Sequence, residues 1–218
     1  MTSIRHNPDA ERSPEDTYLD AARDAILAVG WSRTTLTDIA RRSGVSRMTL
    51  YRRWPDTQTL LADLMTREWG VVVEQAGGAD ADPTSDPTVN PTPDPSARTR
   101  ISRGIVATVQ SLRENALLRR IIDVDPEVLL PYLLDRRGRS QEMVAEGLAA
   151  LVVEGQRDGS VRAGDPVVLA RSLVLAAHGF TLSAHTMVDT GNPGAARDTD
   201  VSALDAELEL LVERYLQP

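Results

Sequence analysis

Arg47, Met48, Tyr51 and Arg52 lie close together in the stretch TLTDIARRSGVSRMTLYRRW, from Thr35 to Trp54, and their side chains suit duplex DNA. An arginine near a helix N-terminus can donate two hydrogen bonds to guanine O6 and N7, and a methionine can meet a thymine methyl. Ser46, Tyr51 and Arg53, with the free N–H groups of helix starts, suit phosphate oxygens, which fix register without carrying sequence information. To enter a major groove these groups must share one face of one helix. Leu50 and Trp54, four apart, give that helix a core-facing side opposite them.

The elements that would position this face are legible around it. Thr35 can cap a helix starting near Leu36, with its hydroxyl accepting a backbone N–H near Asp38 and Asp38 completing a capping box. The inward face of that helix is Ile39, Ala40 and Ser43. Gly44 falls where a left-handed residue ends it, Val45 packs the turn, and Ser46 caps the next helix. From Thr17, the positions Leu19, Ala22, Ile26 and Val29 follow helical spacing up to Gly30, which predicts a supporting helix. After Trp54-Pro55, Asp56 can cap a long fourth helix running through Leu60, Leu61, Leu64, Met65 and Trp69 towards Val73.

This run of residues resembles the TetR family of transcriptional regulators. The matching parts are Gly30-Trp31, Thr34-Thr35-Leu36, Ile39-Ala40, Gly44-Val45-Ser46, Thr49-Leu50-Tyr51, Trp54 and Leu60-Leu61, over about residues 15 to 65. The resemblance implies DNA contacts at Thr35, Leu36, Thr37, Ser46, Arg47, Met48, Thr49, Tyr51, Arg52, Arg53 and Thr57. Two positions depart from the family. Met48 stands where Gly or Pro is frequent, and Thr57 stands where a phosphate-binding Lys is usual, so one charge is lost and the salt dependence of binding should be shallower.

A net charge of −8 looks wrong for a nucleic-acid binder until it is divided: residues 36 to 54 carry a local +4 and leave −12 for the rest. A small basic patch on an acidic body predicts modest non-specific affinity and reliance on a dimer that presents two patches. All 24 basic residues are arginine. With 41% hydrophobic but only 4% aromatic residues, the core should be Leu, Val, Ala and Ile in helices. Cysteine is absent, which excludes a disulfide framework, a Cys-ligated metal and a thiol nucleophile. No apolar signal segment opens the chain, and the apolar stretch 167 to 188 is interrupted by Arg171 and two histidines. A cytoplasmic protein with no membrane span is the expectation.

Residues 1 to 14 read as a polar, disordered tail, 15 to 73 as the DNA-binding head, and 98 to 218 as a C-terminal domain for effector binding and dimerisation. Between the last two, residues 74 to 97 hold five prolines and five acidic residues and read as a flexible loop, either a bland insertion or an acidic segment that repels DNA or docks a partner. Helices are expected over roughly 98 to 113, 115 to 123, 126 to 135, 138 to 157, 166 to 188 and 202 to 216. Asp125-Pro126 and Asp165-Pro166 read as N-cap pairs, and Asp158-Gly159 as a helix end. The fold class is all-α. The helix over 166 to 188 is apolar nearly all round, and 202 to 216 places Leu204, Leu208, Leu211, Val212 and Tyr215 on one stripe. Surfaces that apolar predict a homodimer through these two helices, as the family resemblance also implies.

Catalytic chemistry finds no support: there is no lysine for a phosphate loop, no HExxH, no GxSxG, and only His6, His178 and His185 for acid–base work. Two turns apart on one expected helix, His178 and His185 read as core or interface residues, as effector contacts or pH sensors, or least favourably as metal ligands. Trp69, Tyr132, Met143, His178 and Phe180 are candidates to line an effector cavity, or are simply core. The expectation is a dimeric regulator, a repressor that binds a palindromic operator and is released by a small molecule, with no cofactor, metal or catalytic residue. The alternative is a ligand-sequestering helical protein that does not bind DNA.

Overall fold

A computed structural model of the protein describes residues 13–78, 95–188 and 200–218, and every regular element among them is helical. Residues 1–12 of the expected tail, with His6, and residues 79–94 of the expected loop lie outside the described residues. The chain divides into two compact units: residues up to Thr66 with Ala116–Arg136, and Arg67–Asn115 with Arg137–Pro218.

In the first unit, α1 (Pro14–Val29), α2 (Leu36–Ser43), α3 (Arg47–Arg53), the start of α4 (Thr57–Gly78) and α6 (Ala116–Val124) surround one core. Helix α1 starts earlier than the apolar spacing suggested. The Ser13 hydroxyl accepts the Asp16 N–H at 3.1 Å while the Asp16 carboxylate accepts the Ser13 N–H at 3.2 Å, a capping box ahead of Pro14. Ala22, Ile26, Ile39, Leu50, Trp54, Leu60 and Leu64 are buried together, and Leu117 and Ile121 of α6 complete the cluster. Helical periodicity shows which face of 115 to 123 is buried but not against what, so the sequence alone grouped this helix with the block beyond residue 98.

The stretch read as one helix over 126 to 135 is instead a 3-10 turn (Pro126–Val128) and a π-helical segment (Pro131–Asp135). Pro131 explains the break, because it lacks an N–H and its ring crowds the carbonyl one turn back. Asp125 does not cap this segment, contrary to the sequence reading.

In the second unit, α5 (Ala97–Glu114) packs against α7 (Arg139–Arg157), α8 (Pro166–Leu182) and α9 (Val201–Leu216). Ile101, Ile105 and Val109 of α5 meet Val152, Leu169, Leu173, Leu208, Val212 and Leu216. A partly buried ion pair ties α5 to α9: Arg113 Nη2 lies 2.5 Å from Asp205 Oδ1, with Gln110 Nε2 donating to Asp205 Oδ2 at 2.9 Å. Asp165 caps α8 as its sequence suggests, accepting the N–H groups of Val167 and Val168.

Helix α8 ends at Leu182, short of residue 188, and a 3-10 turn (Ala184–Met187) follows, held by the Thr186 N–H on the Ser183 carbonyl. His178 and His185 therefore sit on different elements, and the single-face spacing expected for them is not realised. On α9 the buried stripe is Asp205, Leu208, Val212 and Leu216, whereas Leu211 and Tyr215 are turned outward. None of the described helices is long and apolar enough to cross a membrane.

Candidate nucleic-acid interface

The local code from Thr35 to Trp54 folds as its residue types dictate. The Thr35 hydroxyl accepts the Asp38 N–H at 3.1 Å and starts α2. Gly44 adopts φ 72° and ψ 20°, the left-handed geometry that glycine takes without steric cost, and this turns the chain into α3. Ser46 caps α3 through the Thr49 N–H at 3.2 Å. Leu50 and Trp54 are fully buried, and the indole is fixed on two sides: its N–H donates to Asp63 at 2.8 Å, and the Tyr18 ring meets it edge-on at 6.1 Å.

With that side of α3 anchored, Arg47, Met48, Tyr51, Arg52 and Arg53 are exposed. Met48, at 76% exposure, is the most open of the large apolar side chains on α2 and α3. Arg47 and Arg52 make no ion pair or hydrogen bond among the described residues, so their donors are available. Thr35, Thr37 and Ser46 are exposed at the two helix starts, and Thr49 and Thr57 are half-buried. Leu36 is different. Its side chain is 4% exposed and belongs to the core, so only its backbone N–H could face a phosphate.

The other arginines are engaged. Asp38 forms no capping box; its carboxylate accepts Arg42 Nε at 2.7 Å and Arg41 Nη2 at 2.5 Å, because the guanidinium pair one turn on competes better than the cap N–H. Hydrogen bonds from Arg42 and then Arg41 hold that carboxyl below its ordinary value. Arg53 donates from Nε and Nη2 to Glu15 at 3.1 and 2.8 Å, and its guanidinium stands 5.4 Å from the Trp54 ring centre. Glu15, Tyr18, Thr49, Arg52 and Arg53 line a cleft of about 340 Å³ between α1 and α3.

One contact that the sequence did not reveal holds this head together. The Asp125 carboxylate accepts the N–H groups of Trp31 at 2.7 Å and Ser32 at 3.2 Å, in the turn that leads from α1 to α2. Burial pushes the Asp125 carboxyl up, but the hydrogen bonds from Ser32 and Trp31 outweigh it and leave the group below its ordinary value. Gly30, with φ 89°, allows this approach: a Cβ there would lie 2.7 Å from Asp125 Oδ2. The Asp-Pro pair reads as a helix cap from sequence, and nothing local marks a partner so far back in the chain.

The effector candidates fall in both units. Tyr132 belongs to the first, where Arg136 stacks on its ring. Trp69, Met143, His178 and Phe180 belong to the second. There Phe180 packs on the core, Met143 is exposed, and His178 lies 3.3 Å from Gln141 Nε2, with burial lowering its pKa. No cluster of three His, Asp or Glu residues among the described residues could hold a metal ion.

The family model for bacterial regulatory proteins of the tetR family matches residues 19–64, the span that contains α2 and α3. The HTH-type transcriptional regulator Rv2250c of Mycobacterium tuberculosis is 35% identical over 184 residues, covering 84% of this chain and 88% of that one. The chain belongs to the TetR family. As a TetR-family protein it is a DNA-binding transcriptional regulator rather than an enzyme. Solved TetR-type structures share its fold. The repressor AlkX from Dietzia sp., implicated in biodegradation of n-alkanes, superposes with a TM-score of 0.62 at 20% identity, over 93% of this chain and 95% of that one. FadR from Bacillus subtilis, in complex with stearoyl-CoA, gives 0.57 at 15% identity, over 92% and 98%.

Proposed function

We propose that this TetR-family regulator is a cytoplasmic repressor that binds a palindromic operator as a homodimer and leaves it when a small molecule binds. The observation that carries the DNA side of this reading is the division of α3: Leu50 and Trp54 fully buried on one side, Arg47, Met48, Tyr51 and Arg52 open on the other. Arg47, in the first turn of α3, suits a guanine edge, and Met48 a thymine methyl. Ser46, Thr49, Tyr51, Arg52 and Thr57 suit phosphates, as do Thr35, Thr37 and the Leu36 N–H at the start of α2.

Dimerisation through α8 and α9 is supported by what those helices leave uncovered. Val168 and Leu175 of α8 are 57% and 71% exposed, and Leu210 and Leu211 of α9 are also open. A soluble chain rarely leaves so many large aliphatic groups in water without a partner. A dimer would set two α3 helices against successive major grooves about 34–36 Å apart. An effector held in the second unit, where Trp69, Met143, His178 and Phe180 lie, would favour a spacing that no longer matches. A 100-fold loss of affinity needs only about 2.7 kcal/mol of such coupling. Helix α4, whose residues belong to both units, is the natural lever.

The test is footprinting of the purified chain on its own upstream DNA at low ionic strength, followed by titration with candidate effectors. A mirror-symmetric protected stretch that disappears on effector addition supports the reading. Absence of any protected stretch counts against it.

A further inference from the structure

We propose that Glu15 is a specificity-determining residue: it holds Arg53 away from the phosphate backbone and so limits the protein's grip on DNA of any sequence. The inference rests on the reading that the exposed face of α3 meets DNA, and it adds a restraint that the reading does not contain.

Arg53 is the last residue of α3 and belongs by position with Arg52 among the groups that would reach phosphate. Glu15 reaches it from the first turn of α1 with two parallel bonds, Arg53 Nε to Oε2 at 3.1 Å and Nη2 to Oε1 at 2.8 Å. That is the edge of a guanidinium that a bidentate phosphate would use, so carboxylate and phosphate compete for one set of donors. The flat face of the group is taken too, by the Trp54 ring. A phosphate that displaced Glu15 would then sit beside a carboxylate of its own sign. An arginine already neutralised by a carboxylate carries no condensed-counterion gain into the complex, since that gain comes from pairing an unpaired cation with phosphate.

The rest of the head follows the same pattern. Asp38 holds Arg41 and Arg42, which leaves Arg47 and Arg52 as the arginines of the motif with no ion pair among the described residues. The two open cations flank the base-reading face, whereas the neutralised one lies at its end, against α1. Glu15 therefore removes a sequence-independent contact and leaves the reading contacts untouched.

The experiment measures binding of the full chain to a random-sequence duplex at several salt concentrations, for wild type, Glu15→Gln, Arg53→Gln and the double variant. Glu15→Gln is expected to tighten binding and steepen the salt slope by about 0.9, so that its advantage over wild type shrinks about 3.5-fold between 50 and 200 mM salt. In the Arg53→Gln background the same substitution should change affinity far less. Glu15→Asp keeps the charge but is too short to reach the fork, and should also tighten binding. Equal tightening in both backgrounds, with Glu15→Asp unchanged, would show that Glu15 acts only as a general negative charge and overturns the proposal. Weaker binding by Glu15→Gln would make Glu15 a support that presents Arg53 to phosphate, and overturns it as well. If no variant binds any duplex at 50 mM salt, the DNA reading fails together with this inference. If wild type binds and Arg52→Ala weakens it while Glu15→Gln does nothing, this inference alone fails.

Discussion

The Asp125 carboxylate accepts the Trp31 N–H at 2.7 Å across 94 positions of sequence, and with the Ser32 N–H this fixes the turn that feeds α2. Asp125→Ala removes the acceptor that those two amides have among the described residues. Leaving such donors unpaired in a part-buried site costs about 1–3 kcal/mol, so the midpoint of denaturant unfolding should fall with no change in slope. An unchanged midpoint would show that water replaces the carboxylate without loss.

Acid should act through the same residue. The folded pKa of Asp125 lies below the ordinary 3.8, so between the two values the unfolded chain binds more protons than the folded one. Its contribution is then complete above about pH 4 and is lost as pH falls through the folded value. His178 follows the same sign higher up, since burial holds its pKa below 6.5 and the unfolded chain takes the proton first as pH falls beneath that. Stability measured from pH 8 to pH 3 should decline in two stages. His178→Gln should flatten the upper stage, and Asp125→Asn should shrink the lower, in which Asp38, Asp56 and Asp158 also take part.

Arg47 and Arg52 should fail differently on DNA. Arg47→Ala is expected to cost about 1–3 kcal/mol and to relax discrimination at one base pair, because a bidentate contact to a base edge is lost. Arg52→Ala should weaken every duplex alike and reduce the salt slope by about one. Titrations against the operator and a scrambled duplex separate the two, and intact discrimination by Arg47→Ala would remove it from base reading.

The proposed dimer is open to a test by one charge. Leu175 is 71% exposed on α8, so Leu175→Glu should leave the fold of one protomer untouched while placing two carboxylates across a two-fold interface. Light scattering at micromolar concentration should then report a protomer-sized particle where wild type reports twice that mass. Equal masses for the two would exclude this face.

Much of the head was legible because its signals are local. Thr35, Ser46 and Asp56 each announce a helix start within three residues, Gly44 marks a left-handed turn, and the four-residue spacing of Leu50 and Trp54 names the buried face. What could not be read involves side chains with more than one nearby option or partners far along the chain. Asp38 had an N-cap and two arginines within reach and went to the arginines. Asp125 carries the sequence mark of a cap but spends its oxygens on another turn. Glu15 with Arg53, and Asp205 with Arg113, are pairs whose members lie on helices that only the tertiary arrangement brings together. On α9 the pattern located an apolar stripe but not how it divides, with Leu208 and Val212 inside the protomer and Leu211 and Tyr215 outside it.

Leu117 and Ile121 of α6 are both fully enclosed in the N-terminal cluster. Cutting the protein after the first part of α4 to obtain a minimal reader would open a hole where those two side chains had been and strand the amides that Asp125 serves. A chimera that grafts this recognition surface onto another regulator must carry two pieces of chain, the second taken from well beyond the first.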